Sequence, residues 1–194
     1  MEKKYLTLKE KICFPLSAVG RSGIYTMMSV FYLVFWVDVA KLNAVTASAI
    51  ILGGRIFDAL NDPIMGMIVD KTRSKWGKMR PYLLFSPIPV CVSTILLFIA
   101  PFQSSAAATV YAACTYVLWG VCFTIQDVPF WGLTSVITPN EKERTQFISN
   151  GRLGSTFGGI LPALLIPILR QSSLGLRGGY LFLMKTTIPT INPI

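Results

Sequence analysis

An all-α bundle that crosses a membrane several times is the fold class this sequence predicts, and three observations carry it. The 194 residues are 53% hydrophobic and 14% charged, where soluble domains carry about 25% charged residues. The apolar residues run in blocks of roughly 20, the length at which a helix crosses about 30 Å of hydrocarbon. Lysines and arginines collect between those blocks, and on alternate gaps. A soluble bundle would instead show apolar residues at three- and four-residue intervals on one helix face.

Five spans are expected, over 13–37, 44–70, 81–101, 108–136 and 146–169. The first follows the basic start "MEKKYLTLKEKI" and lacks a convincing cleavage site, so it is expected to be retained rather than removed as a signal peptide. The second and fourth exceed the spanning minimum, which tilt or extension beyond the bilayer accommodates. The last stretch, "GGYLFLMKTTIPTINPI", has an apolar run of seven residues before Lys185, and Pro189 and Pro193 follow. Residues 1–177 are therefore expected to form the helical body, and 178–194 an incomplete or aberrant sixth span.

Charge distribution sets the expected orientation. The N-terminus (Lys3, Lys4, Lys9, Lys11), the segment "KTRSKWGKMR" and the pair Lys142 and Arg144 put eleven basic residues on one side, against three on the other, Lys41, Arg170 and Arg177. The positive-inside rule places the N-terminus in the cytoplasm, and the chain is expected in the plasma membrane. The net charge of +9 is thus largely an orientation signal. It points to anionic lipid headgroups as neighbours and away from nucleic acid. Cys13, Cys91, Cys114 and Cys122 lie within apolar blocks and form no CxxC pair, which suits small buried hydrophobes. The chain has no histidine, and no Ser/His/Asp set or HExxH motif supports an enzyme.

The second span holds the sharpest anomaly, "GGRIFDALNDPIMG". Asp58 lies near mid-bilayer and Asp62 one turn further on. An ionised carboxylate at that depth costs at least about 2.5–3.5 kcal/mol, and two at i and i+4 also repel. Three remedies are open. Arg55 could neutralise Asp58, one carboxyl could hold a proton, or a hard monovalent cation could enter and leave. Pro63 frees the carbonyl of Ala59, and Asn61 adds an amide oxygen, so the third remedy has further oxygen ligands within reach.

The fourth span repeats the pattern in "WGVCFTIQDVPFW". Gly120, Thr124, Asp127 and Trp131 share one helical face, with Phe123 beside it and Pro129 loosening the turn at Ile125. A carboxylate next to an indole suits a sugar, whose hydroxyls donate to the acid while its apolar face stacks on the ring; packing of Trp131 against lipid or a neighbouring helix is the alternative. Arg21 and Arg152 are intramembrane arginines that either mark a pathway or snorkel to headgroups. Gly154, Gly158 and Gly159 are spaced for a close helix contact.

In order along the chain, "RIFDALNDPIMG", "DKTRSKWGKMRPYLL", "YVLWGVCFTIQDVPFW" and "NEKER" with the following "GR" resemble the glycoside–pentoside–hexuronide:cation symporters of the major facilitator superfamily, over about residues 12–170. The resemblance implies the N-terminal six-helix half of a twelve-helix fold, whose other half contributes a lysine and further site residues. It implies a cation site of Asp58 and Asp62 with Asn61 and Thr124, taking sodium, lithium or a proton, and no other cofactor. It implies a sugar site involving Arg21, Asp127, Trp131 and Arg152. Ser22 stands where melibiose-carrying members have a sugar-gripping aspartate, and Phe123 where they have a tyrosine, so a pentoside, a glucuronide or another glycoside is as compatible as a galactoside. The 71–80 loop resembles the superfamily's cytoplasmic element, in which Asp70 with Arg73, Lys78 and Arg80 would latch one conformation; a purely topogenic basic loop is the alternative. The chain is expected either to transport a sugar with a cation, to pair with a separate C-terminal half, or to be a non-transporting fragment.

Overall fold

The computed structural model describes residues 6–99, 101 and 106–170. Among them there are six helices and no strands: α1 (Leu8–Asp38), α2 (Ala44–Lys71), α3 (Arg80–Phe85), α4 (Pro87–Leu97), α5 (Ala106–Val136) and α6 (Glu141–Arg170). The expected sixth span at 178–194 lies outside the described residues, as do Lys3, Lys4 and Arg177.

Local chemistry fixes the helix starts. Thr7 caps α1 in a reciprocal capping box, its side chain accepting from the Glu10 amide while Glu10 accepts from the Thr7 amide. Asn43 caps α2 by accepting from the Val45 amide at 2.9 Å, and Asn140 receives the Lys142 amide at the start of α6. The stretch expected as one span over 81–101 is broken at Ser86 into α3 and α4. The cause is in the sequence: Pro87 and Pro89 have no N–H, so the carbonyls of Leu83 and Phe85 lose their helical donors. By contrast, α2 and α5 run unbroken through Pro63 and Pro129.

Among the described residues, α1 and α5 are long and apolar enough to cross a membrane by length and composition. The long helix α2 carries Arg55, Asp58, Asp62 and Asp70, and the first three of these charges matter below.

Two apolar clusters divide the bundle. At one end Phe14 stacks on Phe130 (4.5 Å between centroids) and on Phe147 (4.1 Å), with Leu6, Leu83, Trp131 and Ile137 around them. At the other end Tyr32, Phe35, Trp36, Leu97, Phe98, Tyr116 and Trp119 form the larger cluster. The first end gathers the start of α1, the start of α3, the end of α5 and the start of α6. It therefore collects Lys9, Lys11 and the basic loops after α2 and α5. Lys11 and Glu143 join α1 to α6 there, 3.6 Å apart.

The helices pair off, α1 mainly with α6 and α2 mainly with α5, while α3 and α4 lie along α5. Glycines set the α1–α6 distance. Gly151 faces the Phe14 ring, Gly154 the Pro15 carbonyl and Gly158 the Val19 carbonyl, each so close that a Cβ would overlap its neighbour. Gly66 on α2 meets nothing within 4 Å. Gly158→Ala is therefore expected to force α1 from α6 and destabilise the protein by about 1–3 kcal/mol. Gly66→Ala should be neutral or stabilising by up to about 1 kcal/mol, since it only removes glycine's chain entropy. Thermal unfolding of the two variants in one detergent checks the contrast.

Candidate functional site: a charged cavity between three helices

Between the two apolar clusters lies a layer of charge. A cavity of about 240 Å³ opens there among α1, α2 and α5. Arg21, Ser22 and Tyr25 come from α1, and Arg55, Asp58 and Asp62 from α2. Trp119, Gly120, Phe123, Thr124 and Asp127 come from α5. Helical spacing explains the assembly: Arg21 and Tyr25 are one turn apart, as are Asp58 and Asp62, Gly120 and Thr124, and Phe123 and Asp127.

Each charge in this layer has its own arrangement. Arg21 is 8% exposed and pairs with Asp127 through Nη1 and Oδ1. Three rings surround its guanidinium, with centroids at 5.9 Å (Phe123), 5.0 Å (Phe130) and 5.2 Å (Trp131). Such faces attract a cation and exclude water. Arg55 takes a different course. It donates to the Tyr25 hydroxyl at 2.9 Å and to the Ser29 hydroxyl at 3.2 Å, both on α1, and lies over the Tyr25 ring at 5.6 Å.

The paired carboxylates are left. Among the described residues neither Asp58 nor Asp62 has a lysine or arginine nitrogen within 4.0 Å. The direct Arg55–Asp58 pair, one of the three remedies open from sequence, is not formed. Asp62 accepts from the Thr124 hydroxyl at 2.9 Å. Asp58 lies against the bare Cα of Gly120, where an added Cβ would come within 2.6 Å of its Oδ1. Two carboxylates and a hydroxyl thus meet on one cavity wall. All three offer hard oxygens, the donor chemistry of a small monovalent cation.

The structure does not bring every expected residue to the cavity. Asn61 is half-buried on α2 outside the lining, and Arg152 is exposed on α6. Trp131 packs edge-on against Phe14 at 6.4 Å and Phe130 at 5.4 Å, and reaches the site only through its contact with Arg21. Asp70, Arg73, Lys78 and Arg80 are all exposed, and among the described residues no ion pair links them. Hydroxyls fasten that loop instead, Thr72 to Tyr82 at 2.7 Å and Thr72 to the Ile68 carbonyl at 2.8 Å.

Tyr25 and Trp119 are cavity residues that sequence reasoning missed. Both carried a usable signal, since Tyr25 follows Arg21 by one turn and Trp119 precedes Phe123 by one turn. Trp119 is held by its indole N–H donating to Thr94 at 3.0 Å and by stacking on Phe123 at 4.8 Å.

A model of the family described as MFS/sugar transport protein matches residues 13–188. The symporter YnaJ of Bacillus subtilis is 37% identical over 166 residues, covering 86% of this chain and 36% of that protein. The inner membrane symporter YicJ of Escherichia coli is 31% identical over 185 residues, covering 92% and 40%. The isoprimeverose transporter of Lactiplantibacillus pentosus is 27% identical over 170 residues, covering 87% and 36%. The chain thus spans well under half the length of these relatives.

Removing one partner of the Arg21–Asp127 pair strands a buried charge. Asp127→Asn should destabilise by about 3 kcal/mol, the low end for such a loss because Asp127 is partly solvated. The double change Arg21→Met with Asp127→Leu should cost clearly less than the single one. Unfolding midpoints of the three proteins in detergent give the comparison.

Proposed function

The chain belongs to the MFS/sugar transport protein family, a multi-pass membrane family, and on that premise we propose that it is the cation-holding part of a sugar symporter. Its α2–α5 wall takes the coupling cation, and the adjoining α1–α5 wall contacts a sugar or glycoside. The observation that carries this reading is the pair Asp58 and Asp62, which open on one cavity without a basic partner among the described residues. The relatives YnaJ and YicJ are named symporters, and a third relative is named for the glycoside isoprimeverose.

In this reading a monovalent cation, sodium or else lithium or a proton, binds between Asp58 and Asp62 and relieves their repulsion. Thr124 keeps the Asp62 carboxylate turned toward the cavity. Asn61 joins when α2 rotates slightly. With the repulsion gone, α2 and α5 close on the sugar. Asp127 accepts from sugar hydroxyls, Arg21 and Ser22 complete the polar contacts, and Phe123 offers an apolar face. Trp131 holds Arg21 in place, and Arg152 joins from α6 when that helix turns inward.

A cation moving down about 100 mV releases roughly 2.3 kcal/mol, enough for tens-fold sugar accumulation. The loaded site is then exposed to the other side by alternating access. The basic end faces the cytoplasm of the cell that carries the protein in its plasma membrane. The loop carrying Asp70, Arg73, Lys78 and Arg80 pairs its charges only in the other conformation.

The test is sugar counterflow in vesicles, over a panel of labelled glycosides with and without sodium, using a transporter completed by a family C-terminal half. Asp62→Cys is expected to abolish cation stimulation. Unchanged stimulation would remove Asp62 from the coupling site.

A further inference from the structure

Arg55 precedes Asp58 by three residues on α2, a spacing at which helical side chains are neighbours. A rotamer change would let the guanidinium reach the carboxylate. It reaches α1 instead, through two hydrogen bonds at 2.9 Å and 3.2 Å and a ring contact at 5.6 Å. Arg55 and a coupling cation are rivals for the same carboxylate, since either one neutralises Asp58. Whatever holds Arg55 away therefore decides how readily the cation binds.

We propose that Tyr25 and Ser29 are positioning residues that hold Arg55 off Asp58, so that the placement of α1 sets the affinity of the cation site on α2. The inference rests on the reading of Asp58 and Asp62 as that site. Tyr25 stands one turn from Arg21 and three residues from Ser22, on the same cavity wall. A sugar that draws α1 inward keeps the two hydroxyls in reach of Arg55 and the carboxylates free. A shift of α1 away releases Arg55 onto Asp58 and expels the cation. Coupling between sugar and cation then runs through two hydroxyls and one guanidinium.

The experiment uses the 194-residue chain in nanodiscs, with radiolabelled sodium as probe and helix content checked by circular dichroism. Tyr25→Phe with Ser29→Ala is expected to raise the half-saturating sodium concentration about tenfold, the scale of one net hydrogen bond to a charge. Tyr25→Phe alone, which deletes a single hydroxyl, should raise it about threefold. Adding Arg55→Gln to the double variant removes the rival and should restore tight binding, a rescue that a merely structural role would not produce. Unchanged affinity in the double variant, or weakened affinity that Arg55→Gln does not restore, overturns the proposal. Asp58→Asn and Asp62→Asn separate it from its premise. If both bind sodium as the wild type does, or if the wild type binds none saturably, the cation-site reading falls and takes the inference with it.

Discussion

Five charged side chains line one cavity in the middle of a chain built for a low-dielectric surround, and the rest of the structure answers to that constraint. Apolar clusters seal the layer from both ends, the Phe14 group on one side and the Trp36 group on the other. Between them each charge must be paired, solvated by dipoles or left for something that comes and goes. Arg21 is paired and caged by rings. Arg55 is solvated by two hydroxyls. Asp62 has only the Thr124 hydroxyl on α5, and Asp58 lies against the bare Cα of Gly120. This asymmetry sets Asp58 and Asp62 apart as the two carboxylates of the layer without a basic partner among the described residues.

The packing around the cavity follows a division of labour. Glycines on α6 let it press against the α1 backbone, whereas Gly54 on α2 and Gly120 on α5 each admit a side chain of the facing helix. The contact between α1 and α2 is light by comparison. It runs through hydroxyls and a guanidinium, groups that can exchange partners at little cost in packing. The two helix pairs are joined more firmly by the apolar cluster, in which Tyr32 of α1 meets the Tyr116 ring of α5 at 4.9 Å.

Much of this was legible from the sequence because charges inside apolar blocks are conspicuous. Asp58, Asp62, Asp127 and Arg21 were singled out for that reason, and all four line the cavity. The glycine contact on α6 was equally readable, since small residues at helical spacing have few other uses in a span. Partner choice was not readable. Arg55 lies as near Asp58 in sequence as helical geometry allows, yet bonds to residues about thirty positions away. Only the rotation of α2 relative to α1 decides that, and periodicity does not encode it. The same holds for Asn61, Trp131 and Arg152, whose residue types suited the chemistry while their helix faces turned elsewhere. The break at Ser86 is a different case: Pro87 and Pro89 announced it, but the apolar run concealed it.

The register between α2 and α5 shows how tightly the site is tied to the fold. Gly54 meets the Tyr116 ring, Asp58 meets Gly120, and Asp62 accepts from Thr124. The separation is 62 residues in each case, because 116 − 54, 120 − 58 and 124 − 62 are equal. The two helices therefore run parallel and in step for two full turns, with rows of every fourth residue facing each other. One glycine on α2 admits a ring from α5, and one turn later a glycine on α5 admits a carboxylate from α2. One turn later still, a hydroxyl orients the second carboxylate. A single inserted residue in either helix would rotate the following contacts by about 100° and separate acid from hydroxyl, even with every site residue still present. The chemistry of the cavity is thus a property of the helix register first and of the side chains second.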